Sequence, residues 1–251
     1  MPTIEVRGLS KWFAAGEAPH SDWRFWLAGR RACGQIPALR EIDFAVEAGE
    51  LVGVVGANGA GKTTLLRVLA TLLLPDAGEV TIGGLDVVEH AAEVRRRIGL
   101  MLPEDAGFAP RLSLRSNLEF YGALSGRYVG RPDIYYALDA VGLAERADEL
   151  YAGLGTGHRR RLSLARALLG DPRILLLDEP ARSVDSEFAE RIADVVRHAA
   201  HSRGAAVLLV SHDRDEIRNL CDRSLLLHEG RLLHATTVRK PAAAAPSAVG
   251  G

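Results

Sequence analysis

The sequence predicts an α/β fold, a parallel sheet flanked by helices, with a small antiparallel β portion and an inserted helical subdomain. Three observations carry this prediction. Short apolar runs at residues 50–55, 173–178 and 205–211 have the length and continuity of strands buried on both faces. A helix-spaced stretch follows each run, so strands and helices alternate. Within residues 104–170 the apolar spacing is helical, with no strand-like run.

Taken in order, Thr3 to Val6 alternate like a strand that continues to about residue 7. Residues 14–37 then interrupt what would be a short link to the apolar positions Leu39 and Phe44, and they read as an insertion. Aromatics concentrate within residues 12–26: Trp12, Trp23 and Trp26 are all three tryptophans, and Phe13 and Phe25 lie among them. With Arg30 and Arg31 they suit a membrane interface or a partner helix as well as a helix packed on its own domain. The strand at 50–55 runs into a glycine loop. A helix over 62–74 follows, with Leu65, Leu66, Leu69, Leu72 and Leu73 at helical spacing and Pro75 and Gly78 as its stop.

Glu79 to Ile82 and Ile98 to Leu102 read as strands, and 114–124, 132–141 and 144–151 as helices. From residue 159 the alternation resumes: helix, strand 173–178, helix 186–202, strand 205–211 and helix 213–221. Residues 223–234 form a hairpin around Glu229-Gly230, and the alanine-rich stretch 241–251 lacks the bulk to pack and is expected to be disordered. The chain is therefore expected to be one domain over 1–240 with a tail, the helical subdomain occupying about 104–170.

The composition fits that reading. A chain of 251 residues is one large domain, or one with a satellite subdomain, and 47% hydrophobic with 25% charged residues excludes wholesale disorder, collagen and a disulfide scaffold. A formal net charge of -1 supplies no global basic field, which argues against nucleic acid as a partner. Cys33 and Cys221 stand far apart without ligand-like spacing, as expected in a reducing cytoplasm. The start MPTIEVRGLS has no apolar signal region, and no stretch of about 18 apolar residues occurs, so any membrane role is expected to be by association.

The strongest local signal is Gly56-Ala57-Asn58-Gly59-Ala60-Gly61-Lys62-Thr63, which satisfies GxxxxGK[ST] between a predicted strand and a predicted helix. Glycines let successive backbone N–H groups wrap around phosphate oxygens, and the helix amino end adds partial positive charge. Lys62 would reach the outer phosphates, and Thr63 would offer its hydroxyl to magnesium, with Thr64 beside it in the first helical turn. The candidate nucleotide contacts are thus Gly56, Asn58, Gly59, Ala60, Gly61, Lys62, Thr63 and Thr64.

The second signal is the apolar strand ending in Asp178-Glu179. Strand ends in such sheets line ligand sites. Asp178 would hold magnesium through water, and Glu179, facing another direction, would polarise an attacking water.

With these motifs in that order, the chain resembles the ATP-binding subunit of ATP-binding cassette (ABC) transporters across about residues 3–234. The resemblance implies a P-loop NTPase fold, ATP and Mg2+ as cofactors, ATP hydrolysis, and a head-to-tail dimer, either of two copies or with a paralogous ATP-binding subunit. It also implies transmembrane permease subunits as partners and a cytoplasmic chain peripheral on the inner face of the plasma membrane. In that family a Leu-Ser-Gly-Gly-Gln signature opens a helix that faces the γ-phosphate held by the other subunit. Leu154-Gly155-Thr156-Gly157-His158 stands in its place, so Gly155, Thr156 and Gly157 become contacts and Gly155 lacks the serine hydroxyl. His212, in Ser211-His212-Asp213, matches the switch histidine, and Asp185 matches the aspartate at the dimer seam. Glu104 takes the place of the usual glutamine at the magnesium shell, and Phe13, with Trp12 as its rival, matches the aromatic that stacks on adenine.

The catalytic set implied is Glu179, His212 and Lys62, and the metal set Thr63, Glu104 and Asp178. The insertion and the stretch from Thr71 to Val88 look like those of exporters of polysaccharide, lipid or drug. The alternatives are a soluble mechanical ATPase and a weakly hydrolysing regulator, the latter motivated by Gly155 and Glu104.

Overall fold

Strand β3 (Leu51–Val55) is buried at every position, and the rest of the fold explains why. The computed structural model describes residues 3–14, 35–103, 107–126, 128–182 and 184–237. Within them, β3 lies inside a six-stranded sheet ordered β10-β9-β3-β8-β7-β6. The other members are β6 (Ile98–Met101), β7 (Ile174–Asp178), β8 (Ala206–Ser211), β9 (Arg223–His228) and β10 (Arg231–Thr237). All pair in parallel except β10, which returns antiparallel on β9. That return is the predicted hairpin: Glu229 and Gly230 take φ of 47° and 75°, the left-handed pair that a two-residue turn requires.

A second, antiparallel sheet is ordered β2-β1-β4-β5, from β1 (Ile4–Ala14), β2 (Gln35–Val46), β4 (Ala77–Ile82) and β5 (Leu85–Asp86). The parallel sheet is buried on both faces because its strands divide their side chains between two cores. Val52 and Val54 join Ile4, Leu39, Leu65 and Leu69 under the antiparallel sheet and helix α1 (Lys62–Leu69). Leu51 and Val55 point the other way, into a core with Met101, Leu118, Leu138 and Ile192. Each fully buried Leu or Val contributes about 1.5–3 kcal/mol, so the strands read as unbroken apolar runs.

The second core is capped by helices α3 (Leu114–Leu124), α4 (Arg131–Ala140) and α5 (Thr156–Leu168). Phe108 stacks on Tyr151 at 5.1 Å and meets Tyr121 edge-on at 5.4 Å. Fully buried Asn117 accepts from the Ala109 amide (2.8 Å) and donates to the Ala109 and Ser113 carbonyls, fastening the preceding loop to α3. Helices α6 (Ser186–Arg197) and α7 (Arg214–Leu220) follow β7 and β8.

Several boundaries differ from the sequence reading. The first strand reaches Ala14 and pairs with a second that begins at Gln35, so residues 14 and 35–37 belong to the sheet rather than to an insertion. Helix α1 ends at Leu69, and Thr71 turns the chain with φ 60°. Residues 144–151 are not a helix but 3-10 turns at Ala144–Arg146 and Tyr151–Gly153. The predicted helix 186–202 ends as α6 at Arg197 and continues as a wider π turn over His198–Ser202. Strand β5 and helix α2 (Ala91–Arg97) were not predicted. Trp23, Phe25, Trp26, Arg30, Arg31 and the 241–251 stretch lie outside the described residues.

Candidate active site

The glycine loop leaves β3 at the sheet edge where β7 and β8 also end. Val55 pairs with Ser211, and Asp178 with Val210, so the segments after β3, β7 and β8 emerge side by side. Ligands bind at such carboxyl edges in open α/β sheets.

Two loop glycines are dictated by backbone crowding. A Cβ on Gly56 would lie 2.2 Å from the Leu227 carbonyl oxygen, and one on Gly61 2.4 Å from that of Ala38. Gly59 and Gly61 also hold φ of 81° and 104°, where side chains are strained. Ala60 is buried and accepts from the Gly230 amide (3.1 Å), so the terminal hairpin supports the loop from behind. Gly61 opens α1 with no side-chain cap, which leaves the helix amino end available to an anion. Lys62 is buried and folds back over the loop, donating to the Gly56 (2.8 Å) and Ala57 (3.0 Å) carbonyls. Burial pulls its ammonium down, against the charges of Glu179 and Asp178. Thr63 and Thr64 occupy the first turn, both half-buried, and Asn58 is exposed at the loop crest.

The Thr63 hydroxyl donates to Asp178 Oδ2 at 2.7 Å. This places two hard oxygen donors together at the end of the loop, the donor chemistry Mg2+ prefers. Asp178 is almost fully buried, and burial pushes its carboxyl up, which a cation would reverse. The residues present therefore fit the ion.

Glu179 follows in a left-handed conformation, φ 48°, with its amide donating to the Val210 carbonyl at 2.8 Å. The sharp turn aims its side chain away from that of Asp178. His212 Nδ1 lies 2.8 Å from Oε1 and Arg182 donates to Oε2 at 3.0 Å. Sequence reading missed Arg182 as a partner, because nothing in the spelling of the turn signals that pair. It also missed Arg160 on α5, whose buried guanidinium donates to the Asp178 carbonyl (3.0 Å) and to that of Glu179. A signal existed: residues 160, 164, 167 and 168 share one helical face, and the last three are core residues.

The helix in the signature position starts as expected. Gly155 is the N-cap of α5 (φ -71°, ψ 165°) with no side-chain cap, and Gly155 and Thr156 are exposed. A Cβ on Gly155 or Gly157 would meet nothing within 4 Å. Asp185 caps α6 through the Phe188 amide (2.8 Å) and accepts from Arg161 of α5 at 3.1 Å, joining the aspartate to the signature helix. Those bonds hold its carboxyl below the usual range. Phe13 is half-buried near the end of β1, opposite Ile36 and with Lys11 Nζ 5.8 Å from its ring centroid. Glu104 lies outside the described residues. Cavities of about 790 and 540 Å³ flank the loop, and Asn58 and His212 line both.

A family model described as ABC transporter matches residues 39–182. The ABC transporter ATP-binding protein NatA of Bacillus subtilis is 32% identical over 203 residues, which cover 79% of this chain and 81% of the relative. The aliphatic sulfonates import ATP-binding protein SsuB of Pseudomonas entomophila is 39% identical over 201 residues, covering 80% and 71%. Among solved structures, the dimeric post-hydrolysis state of the ATP-binding cassette MJ0796 bound to ADP and Pi superposes with a TM-score of 0.81 at 24% identity, covering 94% of this chain and 99% of that one. SsuB is named for import, and the expectation of an exporter finds no support among these relatives.

Proposed function

The chain belongs to the ABC transporter family, and on that premise we propose that it is the ATP-hydrolysing subunit that drives separate transmembrane permease subunits from the inner face of the membrane. It is an ATPase of the cassette type. The observation that supports the proposed chemistry is the meeting of three strand ends, which brings the Thr63–Asp178 pair and the Glu179–His212 pair to one sheet edge.

In this reading the loop amides and the uncapped start of α1 take the triphosphate, and Lys62 exchanges its two loop carbonyls for phosphate oxygens. Thr63 and Asp178 would hold Mg2+, which when bound neutralises phosphate charge. Glu179 orients the attacking water. His212, donating from Nδ1 to Glu179, fixes that carboxylate and leaves Nε2 as its second polar atom for the γ-phosphate. Phe13 stacks on adenine. Gly155, Thr156 and Gly157 face the nucleotide of a second cassette, either a copy of this chain or a paralogue with a serine in that position. Of the two transport directions, import is the one a relative's name supports.

Phosphate release by the purified chain, with and without the membrane protein that co-purifies from detergent extracts, tests the proposal. Turnover stimulated by a multispanning partner is expected. Turnover indifferent to any membrane protein would instead support a soluble mechanical ATPase.

A further inference from the structure

We infer that Arg160 is a positioning residue for hydrolysis: from helix α5 it fixes the backbone that aims Glu179, and so ties the catalytic carboxylate to the helix that would face a partner's nucleotide. The inference rests on the role proposed above for Glu179.

The observations are geometric. Arg160 stands in the second turn of α5, four residues after Thr156, yet its side chain is only 8% exposed. Its guanidinium donates from one nitrogen to the Asp178 carbonyl at 3.0 Å, from two to that of Glu179, and weakly to that of Pro103 at 3.5 Å. The planar fork of arginine can serve several carbonyls at once, whereas lysine offers a compact charge without that fixed geometry.

The acceptors matter more than their number. Glu179 is a non-glycine residue with φ 48°. Such a conformation persists where the surroundings over-determine it. Its amide is held by Val210 on β8. Its carbonyl is held by Arg160 on α5 and, within the turn itself, by the Arg182 amide at 3.1 Å. The peptide groups on both sides of its Cα are thereby pinned by different elements, and the direction of the carboxylate follows. Displacing α5 pulls on the Glu179 carbonyl, so docking of a second cassette on the Gly155 end has a direct lever on the water-orienting group. The Arg161–Asp185 bond and the stacking of Arg161 on Phe188, at 3.9 Å, bind the same helix to the segment beyond Glu179.

The test uses Arg160→Lys, Arg160→Gln, Glu179→Gln and the Arg160→Lys/Glu179→Gln double variant in the full chain. Steady-state ATPase, nucleotide affinity and amide hydrogen exchange are measured. Misplacing a catalytic group slows turnover by up to about a hundredfold, so Arg160→Lys should lose at least about tenfold in kcat while KM changes by no more than about twofold. Exchange should quicken at Leu177–Glu179 and stay unchanged at Val52–Val55. In the Glu179→Gln background Arg160→Lys should cause no further loss, because the group it positions is already gone.

Wild-type kcat in Arg160→Lys overturns the inference, as do losses that multiply in the double variant. Arg160→Gln removes the charge and is expected to lose more turnover than Arg160→Lys; the reverse order counts against it. Full turnover by Glu179→Gln alone would sink the reading of the site, not the tether. The exchange data then decide, and unchanged protection at Leu177–Glu179 in Arg160→Lys overturns the tether.

Discussion

The imidazole Nδ1 of His212 lies 2.8 Å from Oε1 of Glu179, across the ends of two neighbouring parallel strands. Arg182 donates to Oε2 of the same carboxylate at 3.0 Å, so both of its oxygens are engaged. Burial alone would push the Glu179 carboxyl up, but the hydrogen bond and charge of His212, together with Arg182, outweigh it and hold the group below the usual carboxylate range. Held at both oxygens and kept toward its ionised form, the carboxylate has the preorganisation that electrostatic catalysis requires.

Glu179→Gln keeps the shape of the side chain and one acceptor for His212 but loses the carboxylate. Steady phosphate release should fall by about 10²–10⁴-fold, with ATP binding retained. His212→Ala removes the partner that fixes Oε1 and should cost less, about 10–100-fold, because Arg182 still restrains the carboxylate. Equal rates for wild type and Glu179→Gln would remove Glu179 from its role.

The loop glycines separate crowding from function. Gly61→Ala brings a methyl to 2.4 Å from the Ala38 carbonyl at φ 104°. Overpacking of this kind destabilises by about 1–3 kcal/mol, with loss of nucleotide binding as the loop shifts. Gly157→Ala meets nothing within 4 Å and lies inside α5, where alanine is favoured over glycine by up to about 1 kcal/mol. Denaturant unfolding should therefore move the two variants in opposite directions.

Much of this was legible in the sequence, for a physical reason. A strand buried on both faces spells itself as an unbroken apolar run, and a phosphate loop needs glycine where backbone approaches backbone. Both patterns are local. The failures lie where pattern and packing part. Apolar spacing continues to Leu73, yet Thr71 turns the chain and leaves Leu72 and Leu74 exposed. Helix α2 buries only Val94, so it has no apolar face to announce it. Arg160 stands in a run of three arginines, and although its helical face is shared with the core residues Leu164, Ala167 and Leu168, its carbonyl partners lie in distant segments that no spacing rule connects.

Gly155→Ser is the gentlest probe of the altered signature. The position has φ -71°, sits at the N-cap of α5 and has open space for a side chain. Serine there caps the helix slightly better than glycine, by a few tenths of a kcal/mol, on the order of 0.3. A hydroxyl offered to a partner's charged phosphate is worth about 1.5–3 kcal/mol, which would appear as tighter dimer closure and a faster homodimer. An ATPase rate that stays constant while thermal stability rises slightly would eliminate the hydroxyl as the missing element.

Cys221 yields a prediction that needs no nucleotide. Its side chain is 1% exposed, at the end of α7 against β3, and a Cβ on Gly53 would lie 2.8 Å from its sulfur. Burial pushes the thiol from its ordinary 9.0 up to about 12, helped by the charges of Glu216 and Asp222. The thiolate is the reactive form, so the native thiol is inert at neutral pH. In a Cys33→Ser background, where Cys221 is the sole thiol, a maleimide or disulfide reagent should label the folded chain only as fast as it unfolds, and the denatured chain at once. The sign of the linkage follows from the upward shift. Between the unfolded value near 9 and the folded value near 12, the unfolded state has released a proton that the native state keeps. Stability should therefore fall as pH rises through that window, and Cys221→Ala should flatten this part of the alkaline profile. Prompt labelling of the native Cys33→Ser protein at pH 7 would show that the thiol is not enclosed between α7 and β3.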